Sequence, residues 1–168
     1  ISEVYHAETG RYFNHNVHSV RVLDGIFPLN ITLDTLDGII THNGEFEMHE
    51  YRPAEMPDFT TFDAMVESCY RDSANIRRLM PATLEGAVVR ISDIIAYLGK
   101  DRQDAARMKL VGEDDYSHTA IGSLNAEIIN NLVVNIIENS YGKPYIAMDD
   151  AHFDALKTAK AENYHRIY

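Results

Sequence analysis

The stretch Val88 to Ala105, VVRISDIIAYLGKDRQDA, decides the fold class. Stepped at about 100° per residue, as on an α-helix, its residues separate into two faces. With Leu84 just upstream, Val88, Ile91, Ile95 and Leu98 form an apolar stripe, while Arg90, Asp93, Tyr97, Asp101 and Asp104 fall within an arc of roughly 80° on another side. The strict alternation of a half-buried strand occurs nowhere in the chain for more than a few residues. The polar stripe has two readings. On one it is a solvated face where Arg90 pairs with Asp93, three residues on. On the other it is the wall of a site. The second is favoured by Ile91, Ile94 and Ile95 around Asp93, because an unpaired carboxylate among apolar groups is costly and a metal ion or other cation relieves it.

Helical spacing continues outward in both directions, and the expected class is all-α. Upstream, Phe13, Val17 and Val20 mark a helix from Tyr12 to Ile26, ended near Gly25 and Pro28. Asp34 is the expected N-cap of a short helix over Thr35 to His42, with Asn43-Gly44 suited to a left-handed exit. Residues Glu45 to Thr60, with Pro53 and Pro57, read as an irregular loop. Helices follow at Thr61 to Tyr70 and Ser73 to Leu79, and Thr83 caps a helix over Leu84 to Leu98 that is expected to run through Gly99 to Leu110. Beyond the acidic stretch Gly112 to Tyr116, an Ile-, Val- and Leu-rich helix over Ile121 to Asn139 is expected at the centre of the core. Asp149 then caps a last helix, Asp150 to His165, with Phe153, Leu156, Ala159 and Tyr164 inward.

The chain has 168 residues and 19.1 kDa, which fits one helical domain over residues 1–168. Its 26 acidic and 15 basic residues leave a net charge of −11, and no run of Lys or Arg offers a patch for nucleic acid or an anionic membrane. The single Cys69 excludes an intrachain disulfide and any CxxC site and reads as a buried small residue, so a reducing, cytoplasmic setting is expected. No apolar run reaches the roughly 18–20 residues of a membrane span, and no membrane partner is expected. The sequence opens on Ile1, which suggests the downstream part of a longer polypeptide.

Three stretches share a pattern. ATLEGAVVRISDIIAYLGKDRQDA (Ala82 to Ala105) resembles the distal metal-ligand segment of HD-domain phosphohydrolases of the deoxynucleoside triphosphate triphosphohydrolase type. FNHNVHSVRVL (Phe13 to Leu23) and LNITLDTLDGIITHNGE (Leu29 to Glu45) resemble that family's segments after its HD motif, and the closing ENYHRIY is similar too. The resemblance implies a helical HD-domain-like fold, of which this chain is the C-terminal part. It implies a metal-dependent hydrolase that converts a dNTP to a deoxynucleoside and triphosphate, working as an oligomer, most simply a homo-oligomer.

Residue by residue, the resemblance makes Asp93 the last ligand of a divalent metal (Mg, Mn, Fe, Ni or Zn) held by His, His-Asp and Asp. Tyr97 and Asp101 would face the nucleotide substrate, the Asp towards the sugar hydroxyl and the Tyr towards phosphate or sugar. His15 would be a catalytic group at the edge of the phosphate site; its plainer reading is a partly buried His bonded to backbone.

No His-Asp doublet occurs in the 168 residues, so the metal site is incomplete in this chain. Either the missing N-terminal part of the same polypeptide supplies it, or the chain is a degenerate relative. The chain alone is expected to be inactive, and the second reading is a non-enzymatic helical oligomerisation or ligand-binding module. Glu127 stands where the resemblance would put a basic phosphate-binding residue. The pairs His15/His18 and Asp114/Asp115 lack the partners of a zinc or calcium site, and Asn30-Ile31-Thr32 meets the glycosylation pattern, which is not expected to be used in a protein expected to stay in the cytoplasm.

Overall fold

A computed structural model describes residues 1–27, 29–43, 46–56, 58–112, 116–117 and 119–167. The left-handed exit expected at Gly44 and the Asp114/Asp115 pair lie outside the described residues. In chain order the elements are α1 (Ser2–Thr9), α2 (His15–Val20) running into a π-helical turn (Arg21–Ile26), α3 (Leu33–Thr41), β1 (Glu50–Tyr51), α4 (Phe59–Arg71), a 3-10 helix (Ser73–Arg78), α5 (Leu84–Arg107), α6 (Asn125–Ser140), β2 (Ile146–Ala147) and α7 (Asp150–Ile167). The all-α expectation holds, apart from a two-stranded antiparallel ribbon in which Glu50 faces Ala147 and Tyr51 faces Ile146. No helix among the described residues is long and apolar enough to cross a membrane.

The chain forms two compact units: Ile1–Phe46 with Arg52–Arg90, and Glu47–Tyr51 with Ile91–Tyr168. The core of the first joins Val17 and Val20 of α2, Leu36 and Ile40 of α3, Phe62, Cys69 and Tyr70 of α4, and Ile76 and Leu79 around the 3-10 helix. Capping fixes where these elements start. The Thr32 hydroxyl, rather than the expected Asp34, accepts from the Thr35 amide, and Asp58 accepts from Thr61 at 2.7 Å. The first strong helix begins at His15 instead of Tyr12, because Asn14 is extended; a short α1, unforeseen, precedes it.

Arg90 lies within this unit and departs most from expectation. It is buried, not solvated, and its guanidinium donates to the Leu79 carbonyl at 2.6 Å and the Phe46 carbonyl at 3.3 Å. Upstream of it on the same helix, Leu84 and Val88 of the expected apolar stripe are exposed. The inward side of α5 here is set by Ala87 and Arg90, whose cation satisfies carbonyls that a Leu or Val could not.

In the second unit α5 continues without a break past Gly99, as expected, and buries Ile91, Ile94, Ile95 and Leu98. An ideal Cβ on Gly99 would lie 2.7 Å from Asn125 Cα, so the missing side chain lets the start of α6 approach α5. Arg102, also buried, ties α5 to α7: it donates to Asn163 Oδ1 at 2.8 Å and Glu162 Oε2 at 2.9 Å, while Asn163 Nδ2 returns a bond to the Leu98 carbonyl at 2.9 Å. The inward polar residue of α7 is therefore Asn163, and the expected inward Tyr164 is exposed.

Helix α6 starts at Asn125, four residues later than the apolar pattern suggests. Gly122 takes a positive φ of 81°, and the Glu127 carboxylate accepts from the amides of Ser123 and Leu124, both at 3.2 Å. Nor is α6 buried all round: Ile128, Leu132 and Ile136 face inward, while Ile129, Val133, Val134 and Ile137 are exposed. Its inward Asn135 exchanges two bonds with Asp149, through Nδ2 to Oδ2 at 2.7 Å and from the Asp149 amide at 3.1 Å, and Asp149 in turn caps α7.

Candidate functional site

Asp93, Tyr97 and Asp101 sit on consecutive turns of α5, in the second unit. Each i+4 step advances the position around the helix by about 40°, so the three follow one slanting stripe. Asp93 and Asp101 are half-buried and Tyr97 is 61% exposed. The buried residues between them, Ile94, Ile95 and Leu98, anchor the helix from its other side. The stripe thus presents two carboxylates and a phenol on a rigid helix, a set that can accept from sugar hydroxyls, donate from the phenol and ligate a cation. Asp104, the next acidic group, is engaged by Lys100 and by Arg107 at 3.6 Å, which is the ordinary behaviour of an exposed helix face.

His15 belongs to the first unit, as the first residue of α2. It is exposed, so the alternative of a partly buried His does not describe it. Its ring meets the His42 ring edge-on, 5.2 Å between centroids. His42, whose Nδ1 lies 2.6 Å from the Ile39 carbonyl, lines a cleft of about 740 Å³ with Ser19, Asp34, Gly38, Thr83 and Glu85. The next residue in the chain, Asn16, is buried and donates to the Ile40 carbonyl at 2.5 Å, which fixes the start of α2 against α3.

Other candidates resolve into structural roles. His18 packs among the rings of Tyr5, Phe13 and Tyr70, and burial, with Arg21 and Arg11 nearby, lowers its pKa. Burial pushes the Cys69 thiol up and leaves it inert. Glu127 is the cap of α6. Sequence reasoning missed Asp37, which is buried in α3 and accepts from the Ala82 amide at 2.7 Å, joining α3 to the approach of α5. Burial raises its pKa. Its only signal was an acidic residue at an inward helical position beside Leu36 and Ile40.

A divalent ion needs several converging ligands. Among the described residues no three His, Cys, Asp or Glu side chains converge to hold one, so this chain's residues do not by themselves fit a complete metal centre.

Comparison with known proteins identifies relatives. A deoxyguanosinetriphosphate triphosphohydrolase-like protein of Caldanaerobacter subterraneus subsp. tengcongensis is 27% identical over 163 residues, 93% of this chain and 38% of the relative. Proteins with the same name from Desulfatibacillum aliphaticivorans (28% over 178 residues, 100% of the chain and 43% of the relative) and Clostridium perfringens (28% over 168 residues, 93% and 41%) agree. The chain spans about two fifths of the length of these curated relatives. No protein-family model and no solved structure matches. The family resemblance carried by the α5 segment is borne out: over most of its length this chain is a relative of part of the deoxyguanosinetriphosphate triphosphohydrolase-like proteins.

Proposed function

We propose, from that kinship, that the chain is the downstream part of a metal-dependent nucleotide phosphohydrolase that converts a dNTP to a deoxynucleoside and triphosphate. The observation that carries the reading is the similarity itself, which in one relative spans the whole chain and so includes the α5 stripe. Asp93 supplies one ligand to a divalent ion completed by residues outside these 168. When bound, such an ion polarises a phosphoryl oxygen and lowers the pKa of an attacking water.

The chain's own groups do the rest of what is assigned to it. Asp101, two turns beyond Asp93, accepts a hydrogen bond from a sugar hydroxyl, and the exposed Tyr97 between them donates its phenol proton to phosphate or sugar. Helix α5 is held by Arg102 and the apolar side of its second half, so these groups are presented without the cost of ordering a loop. His15, at the head of α2, is the candidate to hold or pass a proton at the phosphate edge. Glu127, where the resemblance would put a basic phosphate-binding residue, serves instead as the cap of α6, accepting from the amides of Ser123 and Leu124.

The test is product identity. The polypeptide that carries this chain is incubated with dGTP and Mn²⁺ or Mg²⁺, and the products are resolved by ion-exchange chromatography. The expected result is deoxyguanosine with tripolyphosphate; dGDP and orthophosphate, or no turnover with either metal, contradict the reading.

A further inference from the structure

Helix α6 leaves one apolar stripe uncovered by the described residues. Ile129, Val133 and Ile137, each four residues apart, are 38%, 41% and 57% exposed, although Ile and Val are among the residues most often buried. Stepped at about 100° per residue, they lie with the exposed Ala126 and the half-buried Ser140 within about 40° on either side of Val133. The five positions are symmetric in sequence about Val133. Ile stands four residues before it and four after, and a small residue stands seven before and seven after. No charged side chain of α6 falls in that arc: Glu127 and Glu138 lie roughly 120–140° round from Val133, and Glu127 is engaged as the cap. In a chain of net charge −11, a strip without acids is where another acidic chain can approach.

We propose that this stripe is the contact of a homodimer, in which α6 packs on α6 of a second copy across a two-fold axis at Val133. Such a contact requires a surface complementary to itself, which the sequence symmetry about Val133 supplies. In the antiparallel sense the more exposed Ile137 lies over the less exposed Ile129 of the second copy, and the helix dipoles oppose. Residues four apart form a ridge, and two such ridges interlock at a crossing of about 50°, with Val133 against its own copy. A helix about 24 Å long and 10 Å wide, covered on one face, loses on the order of 500 Å² a copy, which is at the lower limit of a specific interface. The dimer is therefore weak, with a micromolar Kd. It is independent of the roles given above to Asp93, Tyr97 and Asp101, and goes beyond the hydrolase reading.

The test begins with sedimentation velocity of the 168-residue chain. Between about 1 and 500 µM the wild type is expected to pass from monomer to dimer and Val133→Glu to stay monomeric, while Val4→Glu, at an exposed position of α1, keeps the transition. Salt screens the repulsion between acidic chains, so NaCl at about 0.5 M is expected to tighten the dimer relative to about 0.05 M. Cysteine cross-linking reads the register without a charge in the seam. Under mild oxidation Val133→Cys is expected to form a disulfide dimer at least about tenfold faster than Val4→Cys, and mixed Ile129→Cys and Ile137→Cys chains to link faster than either alone. The Val133→Cys link is also expected in the longer polypeptide that carries this chain. A wild-type chain that is monomeric throughout, a dimer that salt dissolves, or Ile129→Cys that links to itself as fast as the mixture overturns the proposal. So does a longer polypeptide that stays unlinked, because its own residues then cover α6.

Discussion

Asp93 and Asp101 are both half-buried carboxylates on α5, eight residues apart, yet the account gives them different work. In the polypeptide carrying this chain, Asp93→Ala is expected to lose bound metal and with it turnover. Asp101→Ala is expected to keep the metal and raise KM or lower kcat/KM, because the proposal gives it substrate to bind and no metal to ligate. Metal analysis of the two purified variants, with melts to show that both fold, separates them; full metal occupancy in Asp93→Ala contradicts the ligand assignment. Arg90 makes a different prediction. Replacing it with Met keeps much of its volume but leaves the Leu79 and Phe46 carbonyls without their donor, a loss of about 2 kcal/mol read as a lower midpoint in urea. At this scale the sequence was legible in part. The position of Asp93 on a polar stripe follows from the 100° step and its apolar neighbours suggested a cation, whereas its place in a particular ligand set came only from the resemblance. The burial of Arg90 was hidden, because a helical projection says nothing of carbonyls brought up by Phe46 and Leu79 from other parts of the chain.

The elements were legible wherever a local signal sets them. Thr83, whose hydroxyl accepts from the Gly86 amide at 3.0 Å, starts α5, and Asp149 starts α7, both as read from sequence. Their failures are also local: the onset of α6 is delayed by the positive φ of Gly122, and β1 and β2 are two residues each, too short to show alternation. Asp149 carries a pH prediction. Bonds from the backbone and then the ring of His152 hold its carboxyl at about 2, against an ordinary 3.8. A depressed folded pKa stabilises the fold above the unfolded value, and that contribution is lost as pH falls through the folded one. Asp149→Ala should therefore lower stability by about 1 kcal/mol at neutral pH and flatten the acid limb between pH 3.8 and about 2, as followed by circular dichroism. Gly99 tests the approach of α6 to α5. Alanine there gains about 1 kcal/mol of helix propensity, but its Cβ would meet backbone at 2.7 Å, and overpacking of that kind costs about 1–3 kcal/mol. The clash wins, because Asn125 Cα cannot rotate away as a side chain could. A lower Tm in Gly99→Ala is the expected result, and a higher one shows that α6 does not seat against Gly99.

At the scale of the whole molecule, the chain carries two well-packed units and an outward apolar side on α6 (Ile129, Val133, Val134, Ile137), and the second unit includes the stripe to which the proposal gives metal and substrate. Apolar groups exposed together on one helix favour cover by another protein surface, which accords with the proposal that residues outside these 168, or a second copy, pack with this chain. Composition and periodicity alone reached the all-α class and no further; the kinship was legible only because about fifty residues carried a family's pattern. The central claim is that Asp93, Tyr97, Asp101 and His15 serve dNTP hydrolysis but do not suffice for it. The most direct measurement compares dGTP turnover with Mn²⁺ by the purified 168-residue chain and by the longer polypeptide that carries it, at equal molarity and after removal of contaminating phosphatase. The account predicts deoxyguanosine and tripolyphosphate from the longer polypeptide and none from the 168-residue chain; comparable metal-dependent turnover by the short chain, or none by the long one, contradicts it.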